Sequence, residues 1–214
     1  VVENDLEFNE KLVVRALLEA GKPIEVYFAR TLPLQDQYDT SKANLEDVEA
    51  VIIRRGVEHK LEHIKDGRYR AGTLIAENGE SYKLFVEWDG KVITAETRVP
   101  SSTTFQNGRV TLTIENEIDS VYHIEGLLTP REGAVYGVTW SVFNAQHQFA
   151  FEDDVIPVLL REEDKDLQNR LLLRTREIPG EIIKQWRNSL FIRVHAFDEQ
   201  FYNFFITQDA NRAT

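Results

Sequence analysis

Cysteine and methionine are both absent from the 214 residues. Without a thiol there is no disulfide framework, no thiolate zinc site and no cysteine nucleophile. Long apolar runs are missing too. The densest early cluster, KLVVRALLEAG from Lys11 to Gly21, is broken by Arg15 and Glu19, short of the roughly 18 apolar residues that a membrane-spanning helix requires. No Gly-x-Ser-x-Gly elbow, glycine-rich phosphate loop or dinucleotide fingerprint occurs. The first residue, Val1, is not methionine, and any signal peptide or anchor is expected upstream of it.

Positive charge is scarce relative to negative. Lys and Arg number 25 against 36 Asp and Glu, a formal net charge of −11. Nucleic acid is bound largely by cations that displace counterions from phosphates, so this balance argues against it as a partner. The same charge keeps a protein soluble and repels an anionic lipid surface unless a separate anchor holds it there.

What is present is the composition of a folded protein, 42% hydrophobic and 29% charged. The chain is long enough for one large domain or two of about 100 residues. Its dominant rhythm is period two. In IEVYFART, Ile24, Val26 and Phe28 alternate with Glu25, Tyr27 and Ala29, and VEAVIIRR is a β-branched run. The polar stretch LPLQDQYDTSKANLED between them reads as a loop. Asp66-Gly67 is a turn signal, and GESYKLFVEWDGKVITAETRVP places two alternating runs around Trp88-Asp89-Gly90. Strands about ten residues apart with turn chemistry between them predict a β-sandwich.

The second half restarts the pattern with GRVTLTIENE, SVYHIEGLL, AVYGVTWSVF, IPVLLRE, RLLLRTREI and SLFIRVHAF as strands, and the charged REEDKDLQN as an exposed loop. Asp198 as an N-cap and Phe201, Phe204 and Phe205 at helical spacing predict a short C-terminal helix. The expected fold is therefore mainly β: residues 1–10 a tether, 11–104 an immunoglobulin-like sandwich, and 105–214 a second sheet-rich domain ending in a short helix. No short-period repeat marks a solenoid.

Candidate chemistry is sparse. His59 and His63 are spaced to share a helix face, but Lys60 stands where a zinc protease needs glutamate, and both read as surface histidines. His123, His147 and His195 complete the set. Glu152-Asp153-Asp154, with Asp164 and Asp166 downstream, lacks the calcium-loop spacing and reads as a solvated acidic loop. With so many carboxylates some pair must lie close, yet none is singled out as a glycosidase acid and base. Trp140 sits in a strand pattern as a core residue, whereas Trp88, beside its turn, is the candidate ligand contact. The residues yield no catalytic set, no cofactor site and no metal site, and the chain is expected not to be an enzyme.

The order of several short segments is similar to that of a family of Bacteroidota outer-membrane lipoproteins known as domain-of-unknown-function family 4249. The segments are Leu12-Val13-Val14, Ala29 to Leu34, Gly67-Arg68-Tyr69, Gly79 to Val86 and Ala95 to Pro100. Phe151 to Asp154 and LFIRVHAFDEQFYNFF, with Asp198, Glu199 and Tyr202, continue the likeness. The resemblance implies an exported protein, lipid-anchored to the outer membrane through a cysteine upstream of Val1. It implies a non-catalytic accessory or binding subunit beside an outer-membrane protein partner, a TonB-dependent receptor or transport complex. A glycan- or peptide-binding surface module is the alternative.

Overall fold

The computed structural model describes residues 8–33, 39–114, 120–144, 149–153, 156, 158–186 and 189–212. Leu34, His147 and Asp154 lie outside them. The chain divides into two compact units, Val1–Val99 and Pro100–Thr214.

In the first unit the strands are β1 (Leu12–Ala16), β2 (Pro23–Arg30), β3 (Glu49–Arg54), β4 (Val57–Lys60), β5 (Glu62–Lys65), β6 (Arg68–Ile75), β7 (Ser81–Trp88) and β8 (Lys91–Arg98). A single helical turn, α1 (Thr40–Ala43), stands in the segment read as loop; its N-cap Asp39 accepts a bond from Ser41 N at 2.9 Å. Alternation sends Ile24, Val26 and Phe28 of β2, Ala50 and Ile52 of β3, and Tyr82, Leu84 and Val86 of β7 into one core. Burying each large side chain contributes about 1.5–3 kcal/mol, which is what holds the two sheets face to face.

The sheets run β1-β2-β6-β5 and β4-β3-β7-β8. Lettered A to G in chain order, with β4 as an inserted C′, they read A-B-E-D and C′-C-F-G, the immunoglobulin arrangement. A tyrosine corner completes the likeness: the Tyr82 hydroxyl, on a side chain 1% exposed, accepts a bond from Glu77 N at 2.8 Å. The β7–β8 hairpin turns on Asp89 and Gly90, with φ of 49° and 66°. Two left-handed residues in succession match the twist of the strands they join, and glycine takes the second at no steric cost.

The second unit contains β9 (Phe105–Ile114), β10 (Ser120–Leu128), β11 (Ala134–Phe143), β12 (Phe149–Asp153), β13 (Leu171–Arg174), β14 (Ile178–Pro179), α2 (Gly180–Trp186), β15 (Leu190–Asp198) and α3 (Glu199–Arg212). One sheet joins β9 to β10 and β10 to both β13 and β14; the other is β12-β11-β15. The pairings β9–β10, β10–β13/β14, β11–β12 and β11–β15 reproduce A-B, B-E, C-C′ and C-F of the first unit. Among the described residues nothing corresponds to D or G. A second tyrosine corner is present, Arg131 N to the Tyr136 hydroxyl at 2.9 Å.

β11 is buried on both faces. Tyr136, Val138, Trp140 and Val142 pack between the sheets, and Val135, Thr139 and Ser141 are buried on the other side. There, a Cβ on Gly137 would stand 2.4 Å from Ile156 Cγ2, so glycine is needed for Ile156 to pack. The helix α3 is capped by Asp198, whose Oδ1 accepts from Phe201 N at 2.9 Å. It docks through Phe201, stacked at 4.0 Å on Phe197 of β15.

IPVLLRE is not the strand its apolar run predicts. Among its described residues only Leu160 makes a backbone bridge, to Tyr136, while Ile156 and Leu159 lie over Gly137; the run is apolar because it covers a sheet face rather than joins one. RLLLRTREI is split into β13 and β14 around Thr175, whose hydroxyl accepts from Ile124 N at 3.0 Å. No described helix is long and apolar enough to cross a membrane.

Replacing Tyr82 or Tyr136 with phenylalanine strands a backbone donor at a corner. Each change is expected to lower stability by about 1–3 kcal/mol, seen as a lower urea midpoint at unchanged slope. Tyr27→Phe loses a bond to Asn44 at 2.6 Å in a more accessible place and is expected to cost less; equal costs for all three would reject the corner role.

Candidate functional site

The register between β2 and β6 jumps from Glu25↔Arg70 to Pro23↔Ile75. Ile24 alone therefore spans the positions of Ala71, Gly72, Thr73 and Leu74, and β6 bulges. On the other side β5 pairs with β6 only as far as Glu62↔Arg70, because the chain has crossed from the other sheet at Leu61. Gly72 permits the bulge with φ of 53°. Ala71 and Leu74 turn into the core while Gly72 and Thr73 face solvent.

The bulge walls a groove of about 600 Å³. Its other lining groups are Arg54 from the end of β3, His59 and Lys60 from β4, and Glu62 and Glu77. The groove is thus open and mixed in charge, with a strand segment lacking register partners along one wall. Arg54 is held by Glu77 through Nη2, while its Nε, buried with no hydrogen-bond acceptor, lies 3.6 Å from Glu80 Oε2. Glu80 also takes a two-pronged contact from Arg55, at 2.8 Å through Nε. The Arg55 hydrogen bond holds the Glu80 carboxyl below the usual carboxylate range.

His59 and His63 do not share a helix face. They belong to β4 and β5 in different sheets, and His63 sets its ring 5.1 Å from Tyr69. Trp88 ends β7 half-buried and packs against the core. Trp140 is core, 7% exposed. Of the acidic run, Glu152 pairs with Arg193 at 3.1 Å and Asp153 with Arg176 at 3.3 Å. Asp164 accepts from Arg161 N, and Asp166 from Gln168 N and Arg170 N. These carboxylates are used in turns and ion pairs. Among the described residues no group of three or more His, Asp or Glu converges as a metal site.

A profile of the family described as Domain of unknown function (DUF4249) matches residues 1–213. The chain belongs to that family. No curated protein matches the chain in a sequence comparison. The DUF4249 match runs through both units.

The other polar constellation in this DUF4249 chain is around His195 on β15. Its Nε2 shares a hydrogen bond with Thr139 Oγ1 at 3.0 Å, and its ring lies parallel to Phe197 at 5.8 Å. A hydroxyl beside an imidazole is the pairing a nucleophile uses, but Thr139 is 4% exposed and inaccessible to a substrate. Burial first, and Arg193 second, hold the His195 pKa below its ordinary 6.5, against the opposing pull of Glu152. The folded unit therefore binds a proton less readily than the unfolded chain. Its stability is full above the ordinary histidine value and declines as pH falls through it toward the lowered folded value. His195→Gln is expected to flatten the loss of thermal stability between pH 7.5 and 5; an identical pH profile in parent and variant would remove His195 from this role.

Proposed function

We propose that this chain is a non-catalytic binding subunit, the exported part of a lipid-anchored outer-membrane protein that serves as an accessory to a receptor or transport complex of TonB-dependent type. The observation that carries the binding role is the groove of the first unit. It offers a bulged segment of β6, Ala71 to Leu74, without register partners, and charges of both signs beside it, which suits an extended segment of a protein partner laid along β6. Lys60 favours carboxylates on that segment and Glu62 favours its cations, while Arg54 and Glu77 already pair with each other. The partner class and the membrane location are supported by the family resemblance described above.

A ligand-binding surface module is the second reading, and the same groove favours it over Trp88, whose indole packs partly against the core. Crosslinking with mass spectrometry on native outer membranes, using the full-length anchored protein, separates the two. A reproducible membrane-protein partner crosslinked at Lys60 supports the accessory role, and abundant membrane-bound protein without any partner rejects it in favour of soluble peptides or glycans. Thr73→Trp, at the exposed lip of the bulge, is expected to weaken partner capture roughly tenfold, as a substitution within a binding site does, with folding unchanged.

A further inference from the structure

β5 pairs with the side of β6 away from β2 only between Lys65↔Arg68 and Glu62↔Arg70. The chain enters β5 from the other sheet through Leu61, which is 2% exposed and donates its N–H to Ala50 O at 2.9 Å. Beyond Arg70, β6 therefore runs on from Ala71 to Ile75 with no strand beside it on that flank among the described residues. The ladder line that β5 leaves is open, and the groove of the first unit lies along it, between β6 and β4.

An uncovered strand margin is a template for another strand, and proteins blunt it with short length, lysine, proline or a bulge. The two walls of the groove differ in this respect. β4 is only four residues long and exposes Glu58 and Lys60. The β6 segment AGTLI carries neither charge nor proline, and its Ile75 is 47% exposed. Its bulge does not spoil the fit. Ala71 and Leu74 face the core while Gly72 and Thr73 between them face solvent, so two residues take the place of one. A regular strand laid beside them keeps its own alternation, with one side chain over Ala71, the next outward beside Gly72 and Thr73, and the third over Leu74.

On the opposite wall His59 is the register partner of Ile52, a core residue. Directly opposed residues of an antiparallel pair share a face, so the imidazole lies on the core side of β4, half-buried in the groove. Among the described residues neither its ring nor the Lys60 ammonium has a hydrogen-bond or ion-pair partner. Arg54, by contrast, is held by Glu77.

We propose that the partner segment is an added β-strand, antiparallel to β6 and in line with β5, with two inward side chains of which one is apolar and the other a carboxylate. The apolar side chain packs on the wall formed by Ala71 and Leu74. The carboxylate is received by His59, with the charge of Lys60 next to it. Glu62, exposed where β5 begins and the slot closes, repels a second acid there. Antiparallel addition continues the ladder that β5 starts, as does every pairing of this sandwich. This inference deepens the binding reading of the groove and rests on it.

Panning a library of random linear heptapeptides against the full chain tests it. Selected peptides are expected to alternate, with Asp or Glu two residues from an apolar side chain, and to bind roughly tenfold more weakly to Lys60→Glu, as for an interface contact. Panning on Lys60→Glu itself should no longer enrich the acid. Hydrogen exchange separates strand addition from docking through side chains alone. Amides between Ala71 and Ile75 are expected to exchange more slowly once a selected peptide is added, while those of β8, at the other end of its sheet, stay unchanged. Peptides that bind the groove without slowing the β6 amides, or without the acid, overturn this inference and leave the groove a binding site. Failure to select any groove-binding peptide overturns it as well; the broader reading then stands or falls on the Lys60 crosslink in native membranes.

Discussion

Both units depend on one constraint, that a backbone N–H or C=O withdrawn from water must find a partner. The tyrosine corners show it in its most local form. Glu77 N and Arg131 N each sit where the chain turns between strands and no ladder can reach them, and each is met by a phenol five residues on. With that bond made, the chain can fold sharply back over its core, and the sheets that follow have a fixed starting point. Tyr136 is held so far inside that burial raises its pKa above the ordinary phenol value, which keeps the hydroxyl protonated.

The same constraint separates central strands from edges. β11 has a strand on each side at its far end, bridges Leu160 at Tyr136 and is covered on both faces, so ten consecutive residues can be apolar or small. β8, by contrast, is mostly exposed and carries Lys91, Glu96 and Arg98, the charged decoration expected of an edge that must not recruit neighbours. Among the described residues β15 pairs only with β11, and it sets Arg193, His195 and Asp198 among apolar residues.

Much of this was legible in the residues. The β7–β8 hairpin follows from alternation on either side of Asp89-Gly90, and α3 from the Asp198 cap and the spacing of its phenylalanines, because in both cases the signal is local. IPVLLRE failed for the converse reason: an apolar run has no way of stating whether it pairs or covers, and Gly137, whose missing side chain admits Ile156, lies about twenty residues away in the sequence. β12 and the short α2 carry too few residues for a period to emerge. The groove was the least readable feature. Gly72 in RAGTLI hints at a bulge, but the four-against-one register that forms the wall depends on where β2 and β5 pair.

This difference bears on why the chain carries no recognisable chemical motif. A catalytic site needs particular side chains at particular spacings, and these leave a mark in the sequence. A groove beside a bulged strand, or an open sheet edge, recognises its partner largely through main-chain groups, which every residue possesses, and through an alternation that many residues satisfy. Selection on such surfaces acts on register, edge exposure and which strand is left without a neighbour. A protein that works through its strand margins can therefore keep its fold through long divergence while its interaction sites remain invisible to motif reading. They become apparent only when strand registers are compared, as where β2 and β6 step from Glu25↔Arg70 to Pro23↔Ile75.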